Sequence, residues 1–217
     1  MNRLVAVWQT AVGKKVAMAV TGVLLVLFLI SHMISNVLVF VNPQHLDDYG
    51  AWLRSFGPLL WVARLGLLAA VGIHIAAAWQ LTRMARSARP AGYDRHELQA
   101  SSYAARTMRW GGVLLLTFIV FHLLHLTLGT LHPDFHDGAV SENLKRGLAV
   151  TPVAIFYAVA MVFLGLHFGH GIWSVFQTLG LNHPAWNRSR KVIAVGLALI
   201  VAGGLLSIPL AALLGLL

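Results

Sequence analysis

The chain has no cysteine among its 217 residues. That excludes thiolate-bound iron–sulfur clusters, covalently attached c-type haem, disulfides and cysteine zinc sites. Charge is scarce too: Asp, Glu, Lys and Arg make up 11% of the chain, and only 7 residues are acidic. A soluble domain carries about 25% charged residues, so there is too little polar surface here to cover a globule. With 58% hydrophobic residues and a mean hydropathy of +0.75, the chain reads as a membrane protein. The net charge of +9 sits in no compact basic domain, which excludes nucleic acid as a partner and leaves membrane lipid.

What is present is a set of long apolar runs. The opening MNRLVAVWQTAVGKK leads into apolar sequence from Val16 to Val41. That is longer than the core of a secretory signal, so it reads as a retained helix. The fold class expected is all-α: one domain over 1–217, an integral membrane bundle of five helices at about 16–41, 59–82, 110–131, 152–178 and 191–214. Proline marks the boundaries. Pro43 and Pro58 bracket the first external loop, Pro133 follows span three, Pro152 opens span four, and Pro184 lies in the last loop. Pro209 is expected to kink span five near its end.

Charge sets the direction. Arg3, Lys14, Lys15, Arg83, Arg86, Arg89, Arg95, Arg106, Arg109, Arg188, Arg190 and Lys191 fall on one side; Arg54, Arg64, Lys145 and Arg146 fall on the other. Twelve against four places the N-terminus in the cytoplasm and the C-terminus outside. No Asp or Glu lies within any span.

Histidine, by contrast, lies in the apolar interior of four spans: His32, His74, His122 with His125, and His167 with His170. Imidazole is costly in hydrocarbon unless it is paired, so one such residue already asks for a partner. At helical rise His32 is roughly 26 Å and His122 roughly 20 Å from the inner boundary, while His74 and His167 are roughly 14–15 Å from it. Spans one and three therefore supply an outer tier, and spans two and four an inner tier. Two tiers of two imidazoles suit bis-histidine haem b, in which both open positions of the iron are filled. Gly165, Gly169 and Gly171 around His167, Gly72 near His74, and Ser31 and Ser35 beside His32 are expected to make room for a porphyrin. In each HxxH pair the two histidines share a face, and depth alone accepts either as the ligand.

SHMISN (31–36), YGAWLRSFGPLLWVARLGLLAAVGIHIAAAW (49–79), RTMRWGGVLLLTFIVFHLLHLT (106–127) and LHFGHGIWSVFQTLG (166–180) resemble the single-chain, five-span cytochrome b membrane anchor of succinate dehydrogenase and fumarate reductase, the type with two haems b. The resemblance covers spans one to four; span five is similar only in being apolar. It implies that His32 and His122 are axial ligands of the distal haem, and His74 and His167 those of the proximal haem. His125 and His170 are then left beside the ligands. It further implies a flavoprotein and an iron–sulfur subunit on the cytoplasmic side, docked on the basic loops at 83–109 and 182–191. It implies electron transfer with a membrane quinone, menaquinone favoured over ubiquinone, in a bacterial or archaeal cytoplasmic membrane. Association of complexes into trimers is left open. Tyr49, Trp52 and Arg54, with His45, His132 and His136, are the candidates for the outer quinone site, and equally for interfacial anchors. Where some members carry a buried glutamate two residues before the span-four ligand, this chain has Gly165, so that proton path is in doubt.

Two other function classes use intramembrane histidine. A desaturase-like metalloenzyme clusters them in HxxHH boxes at one face, and no HxxHH occurs here. A proton-coupled transporter relays protons through intramembrane carboxylates, which the spans lack.

Overall fold

Helix starts along this chain are marked by small polar caps and by proline. In the computed structural model, which describes residues 3–88 and 103–217, a short helix α1 (Arg3–Gln9) precedes α2 (Ala11–Asn36). The Thr10 side chain accepts from the Gly13 amide and caps α2. After a 3-10 turn over Val37–Phe40, Asn42 caps α3 (Pro43–Ser55) by accepting from the Gln44 amide. Pro43 and Pro58 stand in the first turns of α3 and α4 (Pro58–Ser87), where the missing N–H costs nothing. α5 (Tyr103–His122) passes into a π-helical turn over Leu123–Thr127; α6 (Val140–Ala149), α7 (Thr151–Thr178), a 3-10 turn over Pro184–Trp186 and α8 (Asn187–Leu213) follow. No strand occurs among the described residues.

Five helical segments are long and apolar enough to span: Ala11–Phe40, Pro58–Ser87, Tyr103–Thr127, Thr151–Thr178 and Pro184–Leu213. Four of them run past the expected boundary on the side rich in Lys and Arg. The helices continue through Lys14 and Lys15, through Arg83 and Arg86, through Arg106 and Arg109, and through Arg188 and Arg190. Apolarity stops at the charges, but long basic side chains are good helix formers and reach back to water. Span three, expected to 131, instead ends at Thr127, and Gly129 turns the chain with a φ of 72°. Pro209 lies inside α8, which continues to Leu213. Arg89 and Arg95, and the middle of the basic stretch between spans two and three, lie outside the described residues.

The two outer connections, expected as loops, each contain a helix. α3 buries Leu46, and α6 buries Leu144 and Leu148. Together with Val39, Ala154, Tyr157 and Ile208 these form an apolar cluster at the outer end of the bundle. The start of α6 has no cap of its own. Asp47 of α3 supplies one, accepting from the Ser141 amide at 2.8 Å and from its hydroxyl at 2.5 Å. A carboxylate at a helix start is favoured by the unpaired amides and the dipole there.

Inside a bilayer, helices associate by close packing rather than by escape from water. α7 and α8 form the most extensive contact. A methyl added at Gly165 would lie 3.2 Å from Ala202 Cβ, and one at Gly169 would lie 3.4 Å from Ala198 Cβ. Gly165 and Gly169 therefore seat α8 and do not make room for a porphyrin, contrary to expectation; Gly72 and Gly171 face open space. Next to this pair, α2 packs on α4, α7 and α8, and α5 packs on α7. The helices α4, α2, α7 and α5 thus run in that order around a four-helix bundle, with α8 outside it. Among the described residues α4 and α5 make no extended contact, so the bundle is open on its fourth side.

Ala198→Leu should overpack the α7–α8 contact and destabilise the protein by about 1–3 kcal/mol. The readout is a lower melting temperature in detergent. Leu199→Ala, at a position 70% exposed, should leave it unchanged.

Candidate functional site: imidazole pairs across the bundle

The two diagonals of the bundle join α2 to α5 and α4 to α7. Each carries a pair of imidazoles. The His32 and His122 rings meet with centroids 5.9 Å apart and planes at 88°. The His74 and His167 rings meet at 6.2 Å and 55°. Neither α2–α5 nor α4–α7 is an extended backbone contact, so these side chains reach across the bundle centre to find each other.

Small side chains set the approach at the inner pair. Gly22 of α2 faces the His74 ring, and an added methyl there would lie 3.5 Å from its Cε1. His74 Nδ1 lies 3.2 Å from the Met18 carbonyl and 3.3 Å from Thr21 Oγ1. Bonded to that carbonyl, Nδ1 carries the proton and Nε2 keeps its lone pair. Among the described residues His167 Nδ1 is buried with no partner. A narrow gap lined by Thr107, Met108, Gly111, Phe163 and Leu166 opens onto His167.

At the outer pair, Phe28 stacks on His32 at 5.2 Å and Phe118 on His122 at 5.6 Å. Asn36 Nδ2 lies 3.4 Å from His32 Nδ1 while donating to the His32 carbonyl at 2.7 Å. The π-helical turn begins right after His122, closed by the Leu128 amide on the Leu123 carbonyl at 2.8 Å. It carries His125, which is fully buried. His122 and His125 do face one way, for both reach the Tyr157 hydroxyl, at 3.3 Å and 3.0 Å.

Tyr157 escaped the sequence reading; its only signal was a lone phenol in an apolar run. His132, one of the outer quinone candidates, stacks on His125 at 5.0 Å and bonds the Asn143 carbonyl through Nε2 at 2.8 Å. His170 lies about one turn inward of His167, half-buried and without a hydrogen bond among the described residues. Tyr49, Trp52 and Arg54 sit together on α3. Tyr49 and Trp52 are 5.6 Å apart, Trp52 is 55% exposed, and Arg54 Nη2 donates to the Gly138 carbonyl at 3.4 Å. None of the three bonds to or stacks on His32 or His122.

Outside the membrane, His136 and Arg146 both pair with Asp134, and Arg146 also bonds Glu142. The Glu142 bond, helped by Asp134, holds the Arg146 guanidinium above its usual range. On the opposite side, two of the basic residues serve the fold. Lys14 is buried, donating to the Trp8 carbonyl at 2.5 Å. Arg190 is buried over the Trp173 ring at 4.9 Å, donating to the Leu181 carbonyl and to Asn187. Lys15, Arg83, Arg86, Arg106, Arg109, Arg188 and Lys191 are exposed; Arg83 and Arg86 line a shallow groove with Trp79 and Thr82.

Two imidazoles binding one iron from opposite sides, each metal–nitrogen bond about 2 Å long, hold their ring centroids roughly 6 Å apart. Both pairs have that spacing. Among the described residues no group of three or more His, Asp or Glu is placed to hold a metal ion, so the candidate ligands come as two separate pairs. The donor set fits haem.

Fold and site together define a multi-pass membrane bundle with histidines paired across it at two levels. The chain belongs to the succinate dehydrogenase/fumarate reductase transmembrane subunit family, whose model matches residues 85–205. It is thus a membrane anchor subunit of such a complex. The match includes His122, Tyr157, His167 and most of span five; His32 and His74 lie before it. Span five, similar on reading only in being apolar, is therefore part of the family pattern. No curated protein and no solved structure matches the chain.

Gly147 of α6 lies against the outer site. A methyl there would fall 2.6 Å from His125 Cε1 and 2.9 Å from His132 Nε2. Gly147→Ala should therefore cost about 1–3 kcal/mol, seen as earlier unfolding in denaturant. Gly66→Ala, which meets nothing within 4 Å, should not.

Proposed function

We propose that this subunit carries two haems b and passes electrons between an iron–sulfur subunit on the cytoplasmic side and a membrane quinone. The single observation that supports this most is the pairing of His32 with His122 and of His74 with His167, each at the spacing one iron requires. When bound, each haem supplies a one-electron redox centre whose potential is set by its axial ligands, burial and nearby charge.

The protein residues have distinct tasks. His32 and His122 bind and orient the distal group, and His74 and His167 the proximal one. Met18 and Thr21 hold the His74 ring. The apolar helices keep water from both levels. Dicarboxylate chemistry belongs to the flavoprotein of the complex. The exposed arginines and lysines at the inner ends of α4, α5 and α8 are the docking surface for the partner subunits. That side is the cytoplasm of a bacterial or archaeal cell, by the excess of basic residues. At the outer interface, Tyr49, Trp52 and Arg54 offer rings and a donor to a quinone headgroup, menaquinone in preference to ubiquinone. Gly165 supplies no carboxylate, so quinone protons enter from the outer surface or a loop.

Purified assembly should show sharp reduced bands of low-spin haem b, two haems per chain, and co-purifying flavoprotein and iron–sulfur chains. Colourless protein would end the proposal. Replacing His74 or His167 with Ala should remove one haem and keep the other; replacing His32 or His122 should do the reverse. Haem content by pyridine haemochrome measures this, and loss of both haems from every variant would argue against separate levels.

A further inference from the structure

Tyr157 Oη stands between two imidazole nitrogens, 3.0 Å from His125 Nδ1 and 3.3 Å from His122 Nδ1. A buried phenol that uses its one proton here donates it to one of these nitrogens and accepts from the other. A neutral imidazole likewise has one N–H and one bare nitrogen. These counts allow only two directions for the chain of bonds. If His122 gives its Nε2 lone pair to iron, its proton is on Nδ1 and is donated to Tyr157 Oη. The Tyr157 hydroxyl then donates to His125 Nδ1, and the His125 proton is on Nε2. The reverse direction puts the proton of His122 on Nε2 and leaves no lone pair there.

His125 is held firmly in this position. It is fully buried, stacked on Phe121 at 5.2 Å and on His132 at 5.0 Å, with Gly147 closing over its edge. His132 is fixed in turn by the Asn143 carbonyl on Nε2 at 2.8 Å and the Asp134 amide on Nδ1 at 3.0 Å. Asn143 is fixed by the backbone of His136, accepting from its amide at 2.9 Å and donating to its carbonyl at 2.7 Å. The His125 Nε2 atom itself is buried with no partner among the described residues. A Phe or Leu at this position would avoid that cost. What imidazole alone supplies is an acceptor aimed at the Tyr157 hydroxyl. At the inner pair His74 Nδ1 meets the Met18 carbonyl at 3.2 Å, and among the described residues His167 Nδ1 is unpartnered, so no side-chain relay of this kind stands behind either ring.

We propose that Tyr157 and His125 are positioning residues for the outer haem. They fix the His122 ring and, by accepting its Nδ1 proton in a hydrogen bond, make it a more basic ligand. This rests on the reading of His122 as an axial ligand. A more basic imidazole favours ferric iron, so the pair lowers the potential of the outer haem and leaves the inner haem alone.

The test uses the complete purified complex, with each haem assigned by the histidine variants above. In Tyr157→Phe the outer haem potential should rise while the inner one stays. The outer haem's low-spin ferric resonance, which reports the angle between its imidazole planes, should shift as well. His125→Leu keeps the phenol but removes its acceptor, and should give a smaller rise in the same direction. Unchanged potential and resonance in both variants would overturn the proposal. If Tyr157→Phe loses its outer haem, His125→Leu decides alone: a rise supports the proposal and no change overturns it. Loss of both haems from both variants also overturns it, for the pair is then a folding element. Wild-type complex without haem would instead remove the ligand reading itself.

Discussion

An imidazole in hydrocarbon must be paired, and the arrangement of this bundle follows from that constraint. Each ring is polar at both nitrogens, and the spans contain no acidic residue to meet it. Four spans therefore direct histidines inward, and the rings meet across the diagonals of the bundle. Neighbouring helices could have paired at closer range. Pairing across diagonals instead joins helices that share no extended backbone contact.

The remaining helices make that open arrangement tolerable. α8 carries no histidine, yet among the described residues it shares the most extensive interface, with α7, alanines against Gly165 and Gly169. It braces α7 from outside, so α7 can hold His167 toward the bundle centre without support from α4. On the outer side α3 and α6 cover the end of the bundle, joined by Asp47 and Ser141. Through Gly147 and Asn143, α6 also fixes the rings of His125 and His132. The result is an inner level open and lightly braced, and an outer level roofed and hydrogen-bonded.

Much of this was legible in the residues. Apolar length showed the five spans, and histidine depth sorted the four imidazoles into the pairs that meet. Helix ends were less legible, because a helix runs on through Lys14 or Arg86 after hydropathy has fallen. The helices α3 and α6 were missed although Asn42–Pro43 is a helix start, and Leu144 with Leu148 is an apolar stripe. Membrane-length windows average both away. Tyr157 could not have been placed from sequence. Its importance comes from meeting His122 and His125, 35 and 32 residues distant, and no local pattern encodes that meeting. Gly165 and Gly169 show the opposite error: their sequence proximity to His167 hid the fact that they face away, toward α8.

Each diagonal joins one helix of the first hairpin, α2 with α4, to one of the second, α5 with α7. Neither hairpin contains a complete pair. As the chain is made, the outer pair is completed only when the third span arrives, and the inner pair only with the fourth. Both pairs are thus contacts between the two hairpins, made only where those halves pack together.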